Sequence, residues 1–204
     1  MHIKTGIWLI TSINHHVEGN VLKMEGKNVT LRDYHRDTDD EDLFRWTNLA
    51  EWNYYDEPDK PFKKLDRETF ETQIRSARSK SSTIKSNAHG WQIDTNDGRH
   101  IGWINYYDLD LKTKQAFIGI CLPEEETWSK GFGSETIKIL LDYMFNVLDL
   151  DKIKLATWSG NKRMMRCAEK CGFGGAILMP HRASYTVRGE PLERVVFSIS
   201  RKNC

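Results

Sequence analysis

The chain has 204 residues, 39% hydrophobic and 29% charged, which is enough for one well-buried core and gives a prior of one domain. Thirty basic against twenty-nine acidic residues leave a net charge of +1, so no general field exists for holding a polyanion and nucleic acid is not expected as a partner. No apolar run approaches the ~18 residues of a membrane span, which argues against a membrane protein.

Residues 1–23 contain a short apolar run, Gly6 to Ile10, but no small-residue cleavage site. They read as an N-terminal extension, non-native or disordered, rather than as a secretory signal. A single domain is expected over residues 24–204, opening with a strand in which Val29 and Leu31 alternate with polar neighbours. The acidic run Asp37 to Asp42 reads as the capped start of a helix whose Leu43, Trp46, Thr47 and Ala50 recur at helical spacing. Glu51 to Pro61 reads as a loop, and its aromatic residues Trp52, Tyr54 and Tyr55 among carboxylates admit two readings. They form a recognition surface for a cationic group, or they cover the edge of the core. A helix over Arg67 to Arg78 and a mobile polar stretch, Ser79 to Asn87, follow.

Gly90 to Asp94 and His100 to Tyr107 then form a hairpin around Asn96-Asp97-Gly98, because an Asp-Gly pair supplies the positive φ angles of a tight turn. The next strand, Gln115 to Leu122, leads into the glycine turn Trp128-Ser129-Lys130-Gly131-Phe132-Gly133-Ser134. A helix follows with Ile137, Leu140, Leu141, Met144, Phe145 and Leu148 on one stripe. Strand, glycine turn and helix N-terminus make an anion site, since the first helical amides lack intrahelical partners. A P-loop requires four residues between its glycines and a Lys-Ser/Thr pair, and a dinucleotide fingerprint requires a glycine where Thr136 stands. Neither pattern is present.

Asp151 to Trp158 reads as a strand, Lys162 to Cys171 as a helix ended by Gly172, and Ile177 to Ser200 as two antiparallel strands. The mid-chain order implies a right-handed parallel crossover in a mixed sheet. The four cysteines form no Cys-x-x-Cys pair, so reduced thiols in a cytoplasmic protein are expected. Cys167 and Cys171 share a helical face, yet a structural zinc site needs four ligands, and no metal is expected.

The glycine turn at 128–134 and the run Asn161 to Phe173, with Ala168-Glu169-Lys170 ahead of Gly172-Phe173, together resemble the GNAT superfamily of acetyl-CoA-dependent N-acetyltransferases. The details look most like its RimJ/RimL-type branch, and the resemblance covers roughly Asn28 to Ser200. It implies a mixed α+β fold: a mostly antiparallel sheet of about seven strands flanked by about four helices, with a parallel strand pair at the cofactor site. It also implies acetyl-CoA as cosubstrate. The backbone of Lys130, Gly131, Phe132, Gly133 and Ser134 would hold the pyrophosphate, and Ile120, Cys121, Leu122 and Asn161 would pair with the pantetheine arm. Lys130, Lys162, Arg163, Arg166 and Lys170 either meet the nucleotide phosphates or form a solvated basic face.

The implied reaction is acetyl transfer to a primary amine of a small molecule or a peptide N-terminus. A backbone N–H near Ile120 or Cys121 would stabilise the oxyanion, and Glu51 and Asp56 are the candidates for general base. Trp52, Tyr54 and Tyr55 are the candidate acceptor contacts. Two residues depart from the family pattern. Trp128 stands where an Arg or Gln is usual, and Ala168 replaces a tyrosine that protonates the departing sulfur in many members. The second departure leaves open a different class, a catalytically inactive CoA-sensing or protein-binding module. The last strands could pair with a second subunit, giving a homodimer.

Overall fold

The computed structural model describes residues 23–81 and 89–201. Residues 1–22 of the N-terminal extension, the polar stretch from 82 onward and Cys204 lie outside the described residues. Eight strands form one sheet: β1 (Lys23–Glu25), β2 (Val29–Arg32), β3 (His89–Thr95), β4 (His100–Asp110), β5 (Gln115–Cys121), β6 (Lys152–Trp158), β7 (Gly174–Tyr185) and β8 (Pro191–Ser200). Among the described residues five α-helices accompany them: α1 (Asp39–Thr47), α2 (Ala50–Asp56), α3 (Arg67–Ser81), α4 (Phe132–Asn146) and α5 (Lys162–Lys170). The strand order is β1-β2-β3-β4-β5-β6-β8-β7. Every neighbouring pair is antiparallel except β5–β6, which is the parallel pair that the mid-chain crossover requires. No helix among the described residues is long and apolar enough to cross a membrane.

Alternation decides which side chains meet. Ala116 and Ile118 of β5, Ile153 and Leu155 of β6, and Val195, Phe197 and Ile199 of β8 point to one face, where the stripe of α4 closes the main core. The opposite face carries Trp103, which packs beneath Leu43, Trp46, Trp52, Phe70 and Ile74 of α1, α2 and α3. Helix α2 also covers Trp158 of β6 through Tyr54 and Tyr55, and beyond it the half-buried rings of Tyr107 and Phe117 stack at 5.5 Å.

Two local expectations are corrected. The aromatic segment expected as a loop is helix α2 through Asp56, which turns its side chains to different sides. The acidic run does begin a helix, but its side chains do not cap it. Each carboxylate of Asp39 to Asp42 instead meets a basic partner: Asp39 with fully buried Arg32 at 2.7 Å, Asp40 with His35 at 2.8 Å, Glu41 with Arg67 at 2.7 Å and Asp42 with Arg45 at 2.6 Å. Arg32 also binds Asp94 of β3 at 2.8 Å, tying α1 to the sheet. Burial pushes the Asp39 carboxyl up, but hydrogen bonds from Arg32 and the Arg36 amide, with the electrostatic effect of the nearby His100 ring, hold it below the ordinary carboxylate range.

Candidate active site

The glycine turn leaves the first amides of α4 free. Ser129 and Gly131 both take left-handed backbone angles, φ +62° and +92°, and Gly131 caps α4. The first helical hydrogen bond runs from the Glu135 amide to the Gly131 carbonyl at 3.0 Å. Among the described residues the amides of Phe132, Gly133 and Ser134 therefore have no acceptor, and they sit at the positive end of the helix dipole. The turn is anchored on both sides. The buried Glu124 carboxylate accepts from Trp46 Nε1 at 2.7 Å and pairs with Arg45 and Arg99, while Trp128 Nε1 donates to the Leu122 carbonyl at 2.6 Å. The residue that replaces the family's Arg or Gln thus ties the turn to the end of β5. Its ring also carries the Arg163 guanidinium at 3.5 Å.

β5 and β6 pair from Gln115/Lys152 to Ile118/Leu155 and then part. β5 stays bound to β4 as far as Cys121, and β6 to β8 as far as Trp158. The gap joins two cavities, one on each side. A cleft of about 360 Å³ lies toward α4 and α5, and one of about 460 Å³ lies toward the opposite face of the sheet. Tyr55, Asp56, Ile120, Cys121, Asn161 and Met164 border both.

The first cleft brings together Ile120, Cys121, Leu122, Gly131, Gly133, Ser134, Asn161 and Lys170. Arg163 and Arg166 join Lys170 on its wall, so three cations accompany the free amides, which suits a diphosphate. A side chain at Gly133 would project toward Cys167, Leu122 and Ile120 at 3.6 to 3.9 Å, which is ordinary contact with protein but fills ligand space. Lys130 and Phe132 are not brought to this cleft: both line a separate depression with Lys27, Asn28 and Arg99, so only their backbone belongs to the turn. Asn161 is committed in part, since its Oδ1 caps α5 by accepting from the Met164 amide at 3.1 Å.

Helix α2 divides the acceptor and base candidates. Trp52 borders the cofactor-side cleft but is buried, donates Nε1 to the Trp46 carbonyl, and meets Trp103 edge-on at 5.7 Å. Tyr54 lines neither cavity: its hydroxyl reaches Glu190 and Thr186, and Arg188 lies 3.7 Å over its ring. Glu51 pairs with the same Arg188 at 2.8 Å and lines neither cavity. Tyr55 and Asp56 stand at the junction. The segment is divided residue by residue between the clefts and the packed interior, because a helix sends neighbouring positions about 100° apart.

Asp56 is an exposed residue that borders both clefts, with protein atoms crowded around its carboxyl. Burial, reinforced by the Glu57 charge and only partly offset by Lys60, raises its carboxyl to about 6. The same desolvation pushes the Cys121 thiol well up and the Tyr107 hydroxyl to about 12, so neither is an acid or base near neutrality. Ala168 is fully buried and does not face the cleft. Cys167 does, and a hydrogen bond from Cys171, with help from Lys170, draws its thiol down against the effect of burial. Composition and periodicity gave no signal for Met164 and Cys167, although their spacing from Lys170 on one helix is compatible with a common face.

The Gly172-Phe173 signature has a local cause. The Phe173 amide reaches the Ala168 carbonyl at 3.1 Å and the Gly172 amide reaches that of Glu169 at 3.0 Å, with Gly172 left-handed at φ +87°. This is a Schellman end, and it buries Phe173 beside Ala168.

Residues 28–174 match the acetyltransferase (GNAT) domain family, and the chain belongs to that family. It is similar to the uncharacterized N-acetyltransferase YoaA of Bacillus subtilis (strain 168), 32% identical over 111 residues, which are 53% of this chain and 60% of YoaA. The probable N-acetyltransferase YjcK of the same organism is 33% identical over 78 residues, 38% of this chain and 42% of YjcK. The matched part thus spans less than two thirds of either relative. In structure the chain is similar to a spermidine N-acetyltransferase from Vibrio cholerae crystallised with CoA and spermine. The TM-score is 0.66 at 19% identity, covering 87% of this chain and 98% of the other.

Proposed function

We propose that this protein is an N-acetyltransferase of the RimJ/RimL-type branch, a single domain over residues 24–204, that moves acetyl from acetyl-CoA to a primary amine. The observation that carries this reading is the parting of β5 and β6, which joins a cleft with free helical amides and three cations to a second cleft across Asp56. The names of the relatives, and the CoA-bound spermidine acetyltransferase of the same fold, support it.

In this reading Gly131, Gly133 and Ser134 hold the pyrophosphate with Arg163, Arg166 and Lys170, and the freed edge of β5 faces the pantetheine arm. The amine enters from the second cleft, its nitrogen forms a bond to the thioester carbon, and the C–S bond breaks to release the thiolate. A β5 amide near Ile120 or Cys121 stabilises the oxyanion. Asp56 takes the proton from nitrogen, for which a carboxyl near 6 is well matched to neutral pH. Glu51, held by Arg188, is the weaker candidate. The departing thiolate needs no assistance where a thiol pKa of about 8.5 applies. The placement of Asp56 favours catalysis over a CoA-sensing role. Reduced Cys121, Cys167 and Cys171 support a cytoplasmic setting. Edge strand β7, with exposed Ile177, Leu178 and Met179, supports a homodimer.

The test is release of free thiol from acetyl-CoA across a panel of amines. Amine-dependent turnover is expected; CoA binding without turnover on any amine would favour the sensing module instead.

A further inference from the structure

We infer that the acceptor carries an anionic group, a carboxylate or a phosphate, on the same small molecule as its amine, and that Arg194 and His181 bind it. This inference rests on the reading of the second cleft as the acceptor side. Asp56 is the sole carboxylate among the described residues that line that cleft, while Arg194 enters from β8 and His181 from β7. A polyamine of the kind bound by the Vibrio enzyme would place a further ammonium group against the Arg194 guanidinium.

Arg194 makes no ion pair among the described residues. Its guanidinium lies 5.8 Å over Phe117, and Lys154 Nζ lies 5.4 Å over the same ring, so two cations share one aromatic floor. A half-buried guanidinium without a carboxylate is costly unless a ligand supplies one. His181 accepts the Ala183 amide on Nδ1 at 3.2 Å, which puts the proton of the neutral ring on Nε2 as a donor. Asn105 adds an independent observation. It lines the cleft, is 1% exposed, and neither Oδ1 nor Nδ2 has a partner. Its cross-strand neighbour is Gly119, where an added Cβ would come within 3.1 Å of Oδ1. With no side chain at Gly119 the buried amide has no protein partner beside the cleft, and a ligand group reaching past the glycine with an acceptor and a donor would satisfy it.

The geometry therefore suits a molecule with an ammonium at Asp56 and an anion at Arg194: an amino acid or an aminoalkyl phosphate. The experiment compares three amines of equal length, an ω-amino acid, its uncharged amide and the corresponding diamine, with an aminoalkyl phosphate as a fourth arm. Acetyl-CoA is saturating and kcat/KM is read for each. The amino acid or the phosphate should exceed the amide by about tenfold, with the diamine slowest, and the better of the two identifies the anion. Arg194→Gln should raise KM for the anionic amine about tenfold and narrow the gap to the amide, Arg194→Lys should restore part of it, and Arg194→Glu should move the preference toward the diamine. Equal rates across the three amines, or a wild-type preference for the diamine, would overturn the inference while leaving acetyl transfer intact. No transfer to any amine would remove both. The wild-type comparison decides the matter even if an Arg194 variant fails to fold.

Discussion

Asp56 shows how one residue's surroundings set its chemistry. A carboxyl at about 6 is mostly ionised at neutral pH yet basic enough to accept a proton from an attacking amine. Wild-type kcat/KM is expected to fall on the acid side with a limb near pH 6. Asp56→Asn should lower kcat by roughly 10² to 10⁴ and erase that limb; a limb retained in the variant would transfer the role elsewhere. Linkage adds a stability signature. The folded-state value lies above the unfolded one, so the ionised side chain opposes folding once the pH passes the unfolded value. Asp56→Asn should raise Tm above pH ~6 and leave it unchanged below pH ~4, measured by thermal unfolding. The sequence pointed to this residue only as one of two acids in an aromatic segment. What separated it from Glu51 is that Arg188, 137 positions away, holds Glu51 outside the clefts.

Among the elements, the network around α1 is the most consequential. Arg32 is fully buried between Asp39 and Asp94 with both carboxylates in hydrogen-bond contact. Arg32→Met would remove the one fully buried guanidinium of the network, leaving Asp39 and Asp94 with the half-buried Arg36 at 3.3 and 2.9 Å, and should cost about 3 to 5 kcal/mol by urea denaturation. A loss below about 1 kcal/mol, as at an exposed pair, would contradict the account. Because Asp39 titrates below its unfolded value, its contribution is present above about pH 4 and is lost as the pH falls through the lower folded value. The variant should therefore lose less than wild type on acidification. The local sequence announced what depends on local period: the β3–β4 hairpin at Asp97-Gly98, the stripe of α4, and the Gly172 helix end. It gave a loop for α2, because a seven-residue helix followed by Pro58 and Pro61 offers too short a pattern to read. It gave caps for the acidic run, because Arg32, Arg67 and His100 reach those carboxylates from other elements.

For the whole molecule, the sheet order decides what the site can be. β8 lies between β6 and β7, so Arg194 stands opposite Trp158 and reaches the second cleft from a strand late in the chain. No spacing rule could have placed it there, whereas the glycine turn and its free helical amides were legible because strand, turn and helix are consecutive. The same order leaves β7 at an edge with Ile177 and Leu178 about 60% exposed. If β7 joins two subunits, sedimentation should give a dimer that Ile177→Lys dissociates; a wild-type monomer at micromolar concentration would remove that assembly. The measurement closest to the central claim is calorimetric titration of acetyl-CoA into the wild type and into Gly133→Trp. A Cβ at this position meets only ordinary contacts, and the indole beyond it would fill the space before the free amides of α4. Saturable binding by the wild type and none by a folded Gly133→Trp protein is the predicted result. No binding by the wild type, or equal affinity in both proteins, would contradict the assignment of this cleft to coenzyme A.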